Sequence, residues 1–201
     1  MVSTAKDKHQ TSVLFTGDVG LTESCLNNDG LLSNDVLSLF SDADAVCINL
    51  ELPFTPADCR MAPYTHPSQK SLPEAYSILA RMNPTVVNIG TNHCMDGYGE
   101  GIELTRELIQ ELNACPVGAG KNEEEARKPC FVDAGNIKLC FLSYCKEGTY
   151  TAAADSPGAA LLSEDNLRVD IPLHAQECDH LVVSLHMGME FSKYVHPMYR
   201  D

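Results

Sequence analysis

Apolar residues fall into short runs bounded by glycine, proline and polar clusters, and two kinds of spacing alternate along the chain. SVLFT (residues 12–16), AVCIN (45–49), the run of β-branched Val86, Val87 and Ile89 bracketed by Pro84 and Gly90, and HLVVSL (180–185) are short apolar runs, which predicts strands, those at 45–49 and 86–89 buried. Between them, SNDVLSLF (33–40) sets Val36, Leu37 and Phe40 on one helical face behind Ser33 as N-cap. Residues 71–83 space Leu72, Ala75, Ile78, Leu79 and Met82 helically. Residues 99–113 put Ile102, Leu108, Ile109 and Leu112 on one side, with Glu103, Arg106, Glu107 and Glu111 toward water. Strand and helix alternate three times, which predicts a layered α/β fold. After a short Pro116-Val117-Gly118 edge and an acidic helix over 122–128, the order changes. Residues 130–133 and 137–143 read as a hairpin turned at Ala134-Gly135-Asn136, so the sheet becomes mixed or a second sheet begins. Residues 144–160 read as a small-residue loop and 161–178 as a weak helix. Residues 1–11 read as a disordered polar lead. Residues 52–70, with Pro53, Pro56, Pro63 and Pro67, read as a long irregular loop of the kind that often carries function. No interdomain linker breaks residues 12–201, which are expected to form one domain.

Four apolar runs stop at polar groups. The first ends in Gly17-Asp18, whose glycine lets the backbone turn and aim the carboxylate outward; the second ends at Asn49 and Glu51. The third, through GTNHCMD, presents Asn92, His93 and Asp96, and the last opens onto His186 and Glu190. Ligand sites in α/β sheets gather beyond the carboxyl ends of strands, so these groups are expected to converge although they lie far apart in sequence. Carboxylate, carboxamide and imidazole together suit Mn²⁺, Fe or Zn²⁺, and a bridging carboxylate favours two ions. Asp18, Glu51, Asn92 and His186 are the candidate ligands, and His93 is the candidate catalytic group. Asp96 has two readings: it holds His93 by a hydrogen bond, or it caps the helix starting near Gly99. Glu190 and His196 are candidates for lining the same cleft, and Arg127 with Lys128 for meeting an anionic substrate. Each position also has a plain reading as a turn aspartate, a strand-end carboxylate, an asparagine cap, a core histidine or a solvated cation.

Charge narrows the function classes. With 28 acidic residues against 14 basic ones, a formal net charge of −14 argues against nucleic-acid backbone binding and against docking on anionic lipid. The nine cysteines contain no C-x-x-C pair, so neither a zinc knuckle nor a dithiol redox site is indicated, and buried reduced thiols in a cytoplasmic protein are expected. The N-terminal dozen residues lack the apolar segment of a signal peptide, and no apolar run reaches about 18 residues, which argues against a membrane span.

FTGDVGLT, INLELP, VVNIGTNHCMDGYGEGIELTRELI, VGAGKNEEEARKP, IKLCFLSY and HLVVSLHMGMEF follow the order seen in the CapA/PgsA-type capsule, or poly-gamma-glutamate, biosynthesis family. The chain is identified as resembling that family from about residue 12 onward, and through it the calcineurin-type metallophosphoesterases. The resemblance implies a four-layer αββα sandwich of mixed sheets, two divalent ions at its strand ends, and water attack on phosphorus. It sets Asp18 in the place of the first metal-binding aspartate, Glu51 in that of the bridging carboxylate and Asn92 in that of the metal-binding amide. His93 takes the catalytic histidine's place and His186 that of a metal imidazole. Two departures stand out. Gly20 occupies a position where the phosphoesterases have histidine, and the family's Gly-His-x-x-His motif would fall beyond Asp201, so the domain is expected to be incomplete on its C-terminal side. Two functions follow: a metal-dependent phosphoesterase-type hydrolase acting on an anionic small molecule or polymer, or a non-catalytic subunit that binds polymer or synthase components. Members acting on capsule are commonly membrane-associated or exported.

Overall fold

A computed structural model describes residues 10–28, 30–63, 69–146, 148, 150–188, 192–194 and 197. Glu190 and His196 lie outside these, as does most of the expected polar lead. Strand β1 (Val13–Val19) leads through a short helix α1 (Glu23–Leu26) and α2 (Asn34–Asp42) to β2 (Ala45–Leu50). A 3₁₀ turn (Pro73–Ala75) and α3 (Tyr76–Arg81) precede β3 (Val86–Asn88), and α4 (Tyr98–Glu111) connects it to β4 (Cys115–Val117). β5 (Ala119–Gly120), α5 (Glu123–Ala126), the hairpin β6 (Cys130–Ala134) and β7 (Ile137–Cys145), β8 (Gly158–Ala159), α6 (Glu164–His174) and β9 (His180–His186) follow. β1, β2, β3 and β4 form a parallel sheet in that order; β6, β7 and β9 form a second, mixed sheet in which β7 and β9 run parallel.

The period of two along each strand sorts these elements into layers. On β2, Val46, Ile48 and Leu50 turn to one side and pack with Phe40, Leu79, Ile102 and Ile109 of the helices α2, α3 and α4. Ala45 and Cys47, with Val86 and Val117, turn to the other side and meet Leu139 and Phe141 of β7. From the opposite face of β7, Leu142 and Tyr144 pack with Ala126 of α5 and with Leu167 and Ile171 of α6. The result is an αββα sandwich, and burial on both faces is why its central strands read as unbroken apolar runs. A cavity of about 210 Å³ remains between the sheets, bordered by Phe15, Asn49, Asn88, Phe141 and Ser184.

Local chemistry fixes the helix ends. Ser33, Asn122 and Ser163 each accept a backbone N–H three residues ahead, which satisfies a donor the first helical turn leaves open. Several expectations shift. Val36 is exposed on α2, and only Phe40 of that helix is buried. Arg106 does not face water: its guanidinium donates to the Ala119 carbonyl and to Glu125. The stretch read as a loop from residue 144 begins inside β7 and contains β8, which pairs antiparallel with β5. The thiols are not all reduced, since Cys115 on β4 and Cys130 on β6 form a disulfide across the two sheets, their Cα atoms 6.1 Å apart. That pairing is made by tertiary packing and leaves no local spacing signature. No helix among the described residues is long and apolar enough to cross a membrane.

The outer helices of the second sheet are tied down by Asp170 of α6. Arg127 donates to both its oxygens, at 2.9 and 2.7 Å, and Tyr144 donates at 2.8 Å. Burial raises the Asp170 carboxyl's pKa, but these hydrogen bonds outweigh it and hold the group below its ordinary value. Asp170→Asn should therefore cost ~2 kcal/mol in urea unfolding, less than a fully buried pair because Arg127 keeps some solvent contact. In the parent this increment is fully present above the ordinary carboxyl value of 3.8 and fades only as pH falls below it. Equal stability of parent and variant at neutral pH would show that the pair contributes nothing.

Candidate metal centre

β1, β2 and β3 run parallel, so their C-terminal ends share one edge of the first sheet. Asp18 lies near the end of β1, Glu51 follows β2, and Asn92 and His93 lie beyond β3. The second sheet delivers His186 as the last residue of β9. One irregularity sets the aim of Asp18. The β1–β2 register runs from Phe15 opposite Cys47 to Asp18 opposite Asn49, three residues against two. This bulge reverses the facing of the strand, so Phe15 and Asp18 both pair with residues on the intersheet side of β2. With unbroken register Gly17 would stand opposite Asn49, and the carboxylate would turn toward the helices.

Ligand atoms of Asp18, Glu51 and His186 all lie within 4.8 Å of one another. His186 Nε2 is 2.7 Å from Asn92 Oδ1 and 3.6 Å from Glu51 Oε1. Both partners of Nε2 are acceptors, so without an ion an Nε2–H donates to them, and with one these atoms and the deprotonated Nε2 face it together. The donor set, two carboxylates, a carboxamide oxygen and an imidazole, fits a divalent metal ion. Burial lowers the His186 pKa, with Lys146 and His93 adding to the effect and Asp18 opposing it, which favours the neutral ring a metal ligand requires. Cys94 and Cys145 are also buried in this part of the core, where burial favours the neutral thiol. Desolvation pushes Cys94 well above its ordinary value and Cys145 up to about 12.

His93 is buried, and its Nδ1 lies 2.7 Å from Asp96 Oδ2. The same carboxylate oxygen accepts the Gln69 backbone N–H at 2.6 Å. Of the two readings of Asp96, the geometry matches the hydrogen bond to His93; α4 has Gly97 as its N-cap residue, with no side-chain cap bond. Thr91 supports the turn by donating to the Glu51 carbonyl and accepting the His93 N–H. Arg127 is not brought into this group: its partners are Asp170 and Glu123 on the far side of the second sheet. Glu190 and His196 lie outside the described residues.

Two further groups at the site were given no role in the sequence. Asn49 donates from Nδ2 to Asp18 Oδ1 at 2.7 Å and to Glu51 Oε2 at 3.3 Å, bridging the two carboxylates. Its place between a strand and Glu51 was visible, but its partners were not. Lys146, directly after β7, brings a positive charge toward His186 and donates to the Gly188 carbonyl at 3.1 Å.

The family model described as bacterial capsule synthesis protein PGA_cap matches residues 12–201. The chain belongs to this family. Its Asp18, Glu51, Asn92, His93 and His186 thus lie within one matched span, as the order of motifs predicted. Comparison with curated proteins gives no match.

The neutral state of His186 sets a pH expectation for this PGA_cap member. With the imidazole held below its ordinary value of 6.5, protons compete little for Nε2 near neutral pH. Mn²⁺ affinity measured by calorimetry should be level from pH 8 to 7 and weaken as pH falls through the lowered imidazole value. Affinity already declining between pH 8 and 7 would mean that Nε2 is not the donor.

Proposed function

We propose that this capsule-synthesis protein is a metal-dependent phosphoesterase-type hydrolase that binds divalent ions through Asp18, Glu51, Asn92 and His186. The observation that carries the reading is the convergence of two carboxylates and a neutral imidazole from three strands within 4.8 Å. The donors described account for one ion, Mn²⁺, Fe or Zn²⁺; the family resemblance makes two the expected number. A bound ion supplies Lewis acidity and lowers the pKa of its water.

The remaining work falls to the chain's own side chains. Asp96 fixes the His93 ring through Nδ1, so proton exchange with a leaving oxygen goes through Nε2. Lys146 adds positive charge near His186, of use for an anionic small-molecule or polymer substrate. Such help matters in a chain of formal net charge −14, whose field otherwise repels that substrate. Capsule or polyglutamate synthase components are the partners this reading favours. The non-catalytic alternative, a polymer- or synthase-binding subunit, draws on the single cluster found among the described residues.

Elemental analysis after Mn²⁺ loading tests the site: the parent retains the ion, whereas Asn92→Ala and His186→Ala lose it. Unchanged stoichiometry in both would remove these residues from the centre. On a phosphoester panel with Mn²⁺, turnover should fall by roughly 10²–10⁴ in His93→Ala while metal content stays. A metal-loaded parent that turns over no phosphoester favours the binding subunit.

A further inference from the structure

The groups that hold the two carboxylates together lie on the facing surfaces of the sandwich. Asp18, Asn49 and Asn88 are register neighbours across β1, β2 and β3, and Ser143 and Ser184 are register neighbours across β7 and β9. The rows meet through a continuous chain of hydrogen bonds. Ser143 Oγ donates to Asn88 Oδ1 at 2.5 Å, and Asn88 Nδ2 lies 3.3 Å from Ser184 Oγ and 2.5 Å from Asn49 Oδ1. Asn49 Nδ2 then donates to Asp18 and Glu51.

The polarity of this chain is fixed at its inner end. A side-chain amide has two nearly isosteric orientations, and its partners choose between them. The backbone N–H of Gly90 can only donate, and it donates to Asn88 Oδ1 at 3.0 Å. Asn88 must therefore turn its NH₂ outward to the Asn49 oxygen, which obliges Asn49 to turn its own NH₂ to the carboxylates. Two glycines make room for this approach. A Cβ on Gly90 would lie 2.8 Å from Ser143 Oγ, and one on Gly118 would lie 2.7 Å from that oxygen and 2.8 Å from Asn88 Oδ1.

We propose that Asn49 is a positioning residue and not a ligand: its NH₂, aimed by Asn88, holds Asp18 and Glu51 at a separation that admits a divalent ion. Ion affinity is thereby coupled to the packing of one sheet on the other. The inference rests on the metal reading above. Its logic is electrostatic, since two carboxylates that must share an ion repel each other before the ion arrives, and one amide donating to both offsets that repulsion. A ligand role is excluded by the same polarity, because the Asn49 oxygen faces Asn88.

The test uses Mn²⁺ itself, followed by the electron paramagnetic resonance of the free ion and by calorimetry, on the full chain. Asn49→Ala should bind Mn²⁺ tenfold to a hundredfold more weakly while its circular dichroism stays parental. Asn88→Ala should also weaken binding in the parent, yet cause no further loss when added to Asn49→Ala, because it acts through that residue. Parental affinity in Asn49→Ala, or fully additive losses in the double variant, would overturn the proposal while leaving the metal centre standing. A parent that takes up no Mn²⁺ overturns the metal reading and this inference together. Asn88→Ala alone serves should Asn49→Ala fail to fold: weaker Mn²⁺ binding is expected, and parental affinity overturns the proposal.

Discussion

Two carboxylates close enough to share one amide donor repel each other, and the cleft exists only because the sandwich holds them there. Neither sheet could do this alone. The first supplies Asp18, Glu51 and the Asn49 bridge; the second supplies Ser143, which with Gly90 directs Asn88, and it also supplies His186. Packing the sheets brings Leu139 and Phe141 against Ala45, Cys47, Val86 and Val117, burying apolar area whose removal from water is worth about 25 cal/mol per Å². The polar relay lies among these contacts. It is tolerable there because each amide and hydroxyl in it has a partner.

The strands and the strand-end groups were legible in the sequence, because each rests on a local rule, whereas the order of layers was implied by the family resemblance. β-branched runs fitted strands buried on both faces, Ser33 fitted an N-cap, and polar residues after apolar runs marked the edge where a parallel sheet places its ligands. What was not legible depends on two places in the chain at once. The bulge opposite Ile48 reverses the facing of β1, and nothing in FTGDVG alone says whether Asp18 or Gly17 will stand beside Asn49. The Cys115–Cys130 pairing and the burial of Arg106 against Ala119 and Glu125 have the same origin.

Asp96 and Arg127 show how a bland and a functional reading part company. Both stand at helix boundaries, where caps and solvated cations are the usual inhabitants. Asp96 is wholly buried with His93 Nδ1 and the Gln69 N–H on the same oxygen, a combination a cap at the start of α4 would not produce. Arg127 went the other way. A guanidinium matched in fork geometry to Asp170 and helped by Glu123 joins α5 to α6, with three of its five N–H donors held within the fold on the far side of the second sheet.

The site therefore divides its tasks by sheet. Exposed Asp18 belongs to β1, an edge strand whose Phe15 is 53 % exposed, and an edge strand is free to move unless something pins it. Asn49 is that pin on one side, joining the edge carboxylate to the buried strand β2; on the other side the Glu51 backbone N–H donates to the Val19 carbonyl at 3.0 Å. Loosening either would let Asp18 drift without unfolding the core, since the apolar contacts of β2 and β3 do not depend on it. The proposed coupling to sheet packing therefore acts through the relay's hydrogen bonds, and a substitution there is expected to loosen the carboxylates while sparing the apolar contacts.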